Sequence, residues 1–348
     1  EGEGPLLELV EAIDNKKDYS DIKNLWLKNK HNKLRSFTDL SKNPFPDTSI
    51  FKYQELIDTR NGWIDVMINR GCPNNCSYCF NKAFKDVYEK HCEERCSYIR
   101  RGNYDTIIKG IKDTINKYDN IKTISFVDDD FLLDPNIITF INSFKEHINL
   151  PFIIDTHLYS VNEEKLKALE KGGCEMIRVG FECGSEKIRS YIRNRVFKDE
   201  DILEKMKIIK KYKIKLFTYN MIGLPGETRE DVIKTLTMNL KFGCDIIKLA
   251  IFYPYEGTDI YEDCKQKGLL ADENASLTIF EKSLLKFDDG FKKFLKHVQD
   301  YFDVYLNYYT PELSEMYKPY IERIEQGEDI RDEINKLSEQ LKKPHYIK

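Results

Sequence analysis

Long apolar runs are missing from this chain. No stretch of eighteen consecutive apolar residues occurs in its 348 positions, so no membrane span is expected. The opening Glu1-Gly2-Glu3-Gly4-Pro5 is acidic and polar, without the basic and apolar regions of a signal peptide. Charge of one sign is in short supply too. The formal net charge is −4 and the pI near 6.0, which leaves no global electrostatic footprint for nucleic acid. An initiator methionine is absent, so a fragment or processed form of a longer protein is expected. Low-complexity sequence is lacking, and 41% of residues are apolar, with 21 Tyr and 20 Phe. That composition supports a substantial core and argues against disorder.

Cysteine, by contrast, is plentiful. Nine cysteines without a secretion signal point to a reducing, cytoplasmic setting, where thiols serve metals and catalysis rather than disulfides. Three stand in Arg70-Gly71-Cys72-Pro73-Asn74-Asn75-Cys76-Ser77-Tyr78-Cys79-Phe80, at C-x3-C-x2-C spacing. A loop this short can fold three thiolates around one metal centre but offers no fourth ligand. Iron–sulfur clusters normally take four cysteines, so three would leave one iron of a [4Fe–4S] cluster open. An open position belongs to a catalyst, a closed one to structure or electron transfer. A zinc loop usually needs a second pair of ligands, and none is obvious. Cysteines packed as small hydrophobes are the remaining alternative.

The hydrophobic pattern divides the chain in three. Residues 1–58 read as a linker segment leading into the main domain. Leu6, Leu7, Leu9, Val10 and Ile13 predict a short amphipathic helix, Trp26 an anchor, and Pro44-Phe45-Pro46-Asp47 a rigid connection. From 59 to 268, short β-rich runs alternate with helical stretches, which implies parallel strands with crossover helices. Strands are predicted at 63–69, 123–127, 152–155, 176–181, 214–222 and 246–252. The predicted class is α/β, a partial (β/α)6 TIM-like barrel. Residues 269–348 form a helical C-terminal extension. There Phe291, Phe294, Leu295, Val298, Phe302 and Tyr305 make an apolar stripe that reads as packing, and Thr310-Pro311-Glu312 a helix start.

Parallel barrels carry their active sites at the C-terminal ends of the strands. The conspicuous stretches gather at those ends: the cysteine loop, Asp128-Asp129-Asp130, Glu182 and Gly223-Leu224-Pro225-Gly226. In this order they resemble the radical S-adenosylmethionine (radical SAM) enzymes over roughly two-thirds of the chain. The resemblance implies a [4Fe–4S] cluster on Cys72, Cys76 and Cys79, whose open iron takes the amino and carboxylate groups of S-adenosylmethionine. It places Tyr78 against the adenine, and Asp128 or Asp129 beside the methionine moiety; a solvated turn that caps the next helix is the competing reading. Glu182 would accept hydrogen bonds from the ribose hydroxyls. Arg195 would pair the methionine carboxylate, with Arg193 as its rival. Gly223 and Gly226 would allow close approach of the cofactor. No catalytic residue is singled out.

The resemblance further implies a flavodoxin- or ferredoxin-type electron donor and an unidentified substrate that loses hydrogen to a 5′-deoxyadenosyl radical. The order Gly2-Glu3-Gly4, Leu-rich helix, Pro44-Phe45-Pro46-Asp47, cysteine loop is similar to the cobalamin-binding branch of the family. Cobalamin would then be held by a domain outside this chain and the reaction would be C-methylation. Oxidation or rearrangement without cobalamin, and a non-catalytic electron carrier, are the alternatives. Asp155-Thr156-His157 begins like a cobalamin-binding loop but reaches Ser160 where that loop needs Gly, and is read as coincidence. Cys92 and Cys96 repeat the C-x3-C spacing and are expected to be ordinary thiols. Cys183 is a candidate active-site thiol, and His157 a satisfied core histidine.

Overall fold

The computed structural model describes residues 1–94, 97–193, 198–271 and 283–341, with side chains to 336. Six strands form one sheet: β1 (Trp63–Val66), β2 (Thr123–Phe126), β3 (Phe152–Thr156), β4 (Cys174–Glu182), β5 (Lys215–Ile222) and β6 (Ile246–Ile251). Their order is β6-β5-β4-β3-β2-β1, and every neighbouring pair is parallel. β1 and β6 are unpaired edges, so the sheet is a half-barrel, the partial TIM-like barrel that alternating strands and helices imply.

The crossover helices after β2, β3, β4 and β5 fall close to the apolar periodicity, and further helices join them. α1 (Glu3–Asp14) and α2 (Tyr53–Thr59) precede the sheet. Then come α3 (Phe80–His91), α4 (Tyr104–Lys117), α5 (Ile137–His147), α6 (Glu163–Gly172), α7 (Glu186–Tyr191), α8 (Asp199–Ile209), α9 (Arg229–Phe242) and α10 (Asp259–Gln266). Local chemistry sets their ends. Asn103 and Asn162 cap α4 and α6, and Thr228 with Asp231 makes a capping box on α9.

The sheet has two unlike faces. Outward positions such as Ile64, Phe126, Ile154, Ile177, Val179, Phe181 and Leu216 join the crossover helices in the main core. Within it Phe126, Phe131, Phe140, Phe144 and Phe152 touch edge to face or tilted. Truncating one of these rings to alanine would cost about 3–5 kcal/mol. Inward positions are all apolar at the floor, where Trp63, Ile153, Met176, Phe217 and Ile246 meet. Above the floor polar side chains (Ser125, Asp155, Arg178, Tyr219 and Lys248) join apolar Met221 and Ala250.

Three expectations need correction. The first strand stops at Val66 rather than residue 69, because the Asp128 carboxylate takes the N–H groups of Ile68 and Asn69. Asn69–Arg70 then pairs antiparallel with Arg100–Arg101. Trp26 is no buried anchor; it lies 62% exposed and stacks on His31 at 4.3 Å. The segment is fixed instead by Glu1, whose carboxylate meets Arg100 at 2.5 Å and the Thr38 N–H at 2.9 Å. Phe37 on Tyr88 (3.9 Å) and Phe45 over Gly110 add to that hold. The face of α1 that carries Leu6, Leu7, Val10 and Ile13 is exposed.

The C-terminal helices are α11 (Asp289–Asp300), α12 (Phe302–Tyr308), α13 (Ser314–Gln326) and α14 (Arg331–Leu341). The stripe Phe291, Phe294, Leu295, Val298, Phe302 and Tyr305 is buried against Ile222, Leu236, Leu249 and Ile251. It breaks at Tyr301, whose hydroxyl donates to Asp329 (2.9 Å) and accepts the Ile330 N–H (3.2 Å). The next helix begins at Ser314, not at Pro311, because Thr310 turns its hydroxyl back onto the Leu306 carbonyl (3.1 Å).

Candidate active site

The three-cysteine loop leaves the end of β1 through Gly71, with φ +98° and the Tyr98 carbonyl only 2.2 Å from where a Cβ would stand. Only glycine fits that approach. One carboxylate grips the loop at both ends: Asp129 accepts the Gly71 N–H at 2.8 Å and the Asn81 amide at 2.7 Å. Neighbouring connections hold its middle, since the Ser77 N–H donates to Ile192 (3.0 Å) and the Ser77 carbonyl accepts from Ile260 (3.0 Å). Cys79 ends the loop as the N-cap of α3.

Burial pushes the Cys72 thiol up to about 11 and Cys76 up to about 12, and raises Cys79. Asp129 and Asp130 add to the rise at Cys72, Glu182 at Cys76, and Asp129 and Glu182 at Cys79, while neighbouring sulfurs add to it at Cys72 and Cys76. Such a trio binds protons until a cation offsets the clustered negative charge. The sulfurs are near enough to disturb one another. Yet among the described residues no three His, Cys, Asp or Glu side chains stand close enough to hold a single metal ion. Buried polar atoms of Asn69, Asn74 and Ser77 have no protein partner, so a bound group with further acceptors and donors would complete the loop. This donor set fits an iron–sulfur cluster better than a lone zinc ion.

Tyr78 and Glu182 meet at the mouth. The Tyr78 hydroxyl donates to the Glu182 carboxylate, and its ring packs against the apolar cluster that contains Cys183, Leu224 and Phe252. Burial lifts the Glu182 carboxyl to about 7 and holds the Tyr78 phenol well above its usual range. Both side chains remain partly open to solvent, as groups lining a cleft should be. Glu182 sits at φ +73°, just where the β4–β5 register slips. A non-glycine residue there is strained by about 1–3 kcal/mol, strain that tends to collect at functional sites. Its carboxylate folds back over Gly180, where a Cβ would stand 2.2 Å from Oε1. Gly180 therefore makes the room that Glu182 occupies.

Gly223 and Gly226 turn the chain at φ +79° and +77°. Open space lies around the Cβ position of Gly226, while Leu295 crowds that of Gly223. The buried Glu227 carboxylate accepts the N–H groups of Gly223 and Leu224 and is pushed by burial up to about 8.

The aspartates divide their labour differently from the sequence reading. Asp128 is 2% exposed, and both its oxygens accept backbone N–H groups at the end of β1. It clamps the chain there and is not a solvated turn. Asp129 secures the loop, and Asp130 binds the Thr156 and Ser160 hydroxyls at 2.6 Å. Arg195 and Cys96 lie outside the described residues, and Arg193 is paired with Asp259. Cys183 is wholly buried, its thiol raised by burial, which removes it as an exposed nucleophile. Asp155 faces Arg178, and the His157 ring accepts the Tyr159 N–H (3.1 Å). Gly71, Asn81, Gly180 and Glu227 were not foreseen. Gly180 alone had a visible signal, as the glycine two positions before a strand-end carboxylate. A cleft of ≈ 690 Å³ between α4 and α5, lined by Lys109, Lys112 and His147, contains none of these residues.

Residues 66–238 match the model of the Radical SAM superfamily. A relative from Pyrococcus horikoshii, the uncharacterized methyltransferase PH0819, is 26% identical over 283 residues, covering 79% of this chain and 59% of its own length. Among solved structures, the cobalamin-dependent radical enzyme OxsB with aqua-cobalamin bound aligns at TM-score 0.65 and 15% identity, covering 98% of this chain and 58% of that one. The radical methyltransferase TsrM of Kitasatospora setae aligns at TM-score 0.59 and 16% identity, over 81% and 57%. At these identities the structural likeness speaks for the fold. The chain spans little more than half the length of these proteins.

Proposed function

Because the chain belongs to the radical SAM superfamily, we propose that it is an enzyme holding a [4Fe–4S] cluster on Cys72, Cys76 and Cys79 with S-adenosylmethionine beside it. The observation that carries this reading is the Tyr78–Glu182 pair held over the three-cysteine loop at the strand ends. When bound, the cluster and S-adenosylmethionine supply one-electron cleavage to methionine and a 5′-deoxyadenosyl radical, which takes hydrogen from a substrate carbon. The protein's work is to bind, orient and exclude water. Tyr78 would lie against the adenine, and Glu182 would accept the ribose hydroxyls. The Gly223–Gly226 turn would bring backbone close to the cofactor. Asp129 would keep the loop in shape for ligation. A flavodoxin- or ferredoxin-type protein would deliver the electron, in the cytoplasm.

For the net reaction we favour cobalamin-dependent methyl transfer to carbon. Support comes from the similarity to the uncharacterized methyltransferase PH0819, the cobalamin-dependent enzyme OxsB and the methyltransferase TsrM, and from the exposed apolar face of α1, a surface suited to a further domain. Hydrogen abstraction without cobalamin is the second reading. Equilibrium dialysis with hydroxocobalamin separates the two: the 348 residues alone should bind it weakly, and a longer gene product tightly. A longer product that ignores hydroxocobalamin removes the methyl-transfer reading. Release of 5′-deoxyadenosine by reduced, reconstituted protein tests the radical reading itself.

A further inference from the structure

A strap of hydrogen bonds runs along one side of the three-cysteine loop, and Asn81, in the first turn of α3, is its middle member. The Asn81 N–H donates to the Cys79 sulfur at 3.4 Å. Its side-chain amide donates to Asp129 at 2.7 Å and also hydrogen-bonds toward the Cys79 sulfur. Asp129 carries the strap on to the Gly71 N–H at 2.8 Å, directly before the first cysteine. At the other end the Tyr98 hydroxyl donates to the Asn81 side-chain oxygen.

Every member of the strap is oriented by its neighbours. A carboxylate accepts and a hydroxyl can donate, so Asp129 and Tyr98 together fix which end of the amide faces which. The Tyr98 ring is held in turn against Phe37 at 5.4 Å and Phe84 at 6.4 Å. Burial first, then the negative charge of Asp129, Cys79 and Cys72, raises its phenol, so the hydroxyl remains a donor. The result is an amide whose N–H side is turned toward one ligand sulfur and cannot flip without breaking two hydrogen bonds.

We propose that Asn81 is a positioning residue that sets the reduction potential of a cluster held by the loop, by aiming its oriented amide at the Cys79 sulfur. This rests on the reading of the three cysteines as an iron–sulfur site. Reduction brings one electron from the donor protein and leaves one more negative charge on the cluster and its sulfurs. Hydrogen bonds to those sulfurs favour the more negative state and raise the potential. Without the amide the electron is harder to accept. A carboxylate in its place, beside Asp129, makes it harder still.

The test is a redox titration followed by electron paramagnetic resonance on the reconstituted full chain, without S-adenosylmethionine, after iron analysis of each protein. Asn81→Ala should lower the midpoint by about 59 mV, the equivalent of a tenfold loss in the one-electron equilibrium. Asn81→Asp should lower it further. Tyr98→Phe should lower it by less, since the amide stays but loses the donor that orients it. Tyr98→Phe also keeps its ring between Phe37 and Phe84, so it carries the test should Asn81→Ala fail to load iron. Variants that load iron and titrate at the wild-type potential overturn the proposal, because Asn81 would then only hold the loop. Wild type that takes up no cluster overturns the iron–sulfur reading and the proposal with it, and the iron analysis tells that failure from the first.

Discussion

Gly180→Ala separates binding from folding. The added Cβ would stand 2.2 Å from Glu182 Oε1 and 3.3 Å from its Cδ, so the carboxylate must retreat by roughly 1 Å or more to reach ordinary van der Waals separation. The obstacle is the far end of one side chain, and the Gly180 backbone needs no left-handed φ. The fold should therefore tolerate alanine, with a stability change within about 1 kcal/mol. What suffers is the placement of the carboxylate. Hydrogen bonds to a charged group contribute about 1.5–3 kcal/mol each, so losing one to the ribose weakens S-adenosylmethionine roughly ten- to hundredfold. The assay is equilibrium dialysis of labelled S-adenosylmethionine against reconstituted wild type, Gly180→Ala and Glu182→Gln, with urea denaturation alongside. The Gly180→Ala/Glu182→Gln double variant should bind no worse than Glu182→Gln alone, because both changes act on one group. Wild-type affinity in Gly180→Ala would refute the claim that Gly180 makes room for a binding carboxylate.

Other variants probe the loop and the buried acids. Asp129→Ala should cost about 1–3 kcal/mol through the orphaned Gly71 N–H and lower iron incorporation per chain; full iron loading would show that the clamp is dispensable. Cys76→Ala should end 5′-deoxyadenosine release while Cys264→Ala, in the apolar cluster under the mouth, keeps it, and equal loss in both would undo the ligand assignment. Glu227 is pushed by burial up to about 8. A carboxyl raised above its unfolded value of about 4.3 contributes its stability in full below that value and loses it as pH climbs through 8. Glu227→Gln should thus flatten the fall in urea midpoint between about pH 6 and pH 8.5; parallel curves for variant and wild type would count against the buried titration.

Strand alternation and cysteine spacing were legible because both are local and periodic. Each of the six strands appears within a few residues of its predicted place, and the loop follows the first of them. The first strand's early end was not legible, since it depends on a carboxylate about sixty positions away reaching the N–H groups of Ile68 and Asn69. The same non-locality hid the division of labour among Asp128, Asp129 and Asp130. Three adjacent aspartates look alike in sequence, but the turn that follows the strand sends them to different partners, Asp128 to the backbone after β1, Asp129 to the cysteine loop and Asp130 to hydroxyls after β3. Trp26 misled because size was taken as burial, whereas its own pairing with His31, next to Leu27 with Lys30, leaves it on a surface hairpin. Arg178 escaped notice as one charge within an apolar strand; only the sheet brings Ser125, Asp155 and Tyr219 around it.

The central claim is that three cysteines hold one cluster with an iron left open for S-adenosylmethionine. Anaerobic reconstitution, followed by iron and sulfide analysis and electron paramagnetic resonance of the dithionite-reduced protein, tests it directly. The account predicts about four irons and four sulfides per chain, and a spectrum that changes when S-adenosylmethionine is added, with 5′-deoxyadenosine appearing on standing. A colourless zinc protein, or a cluster whose spectrum is indifferent to S-adenosylmethionine, would contradict it.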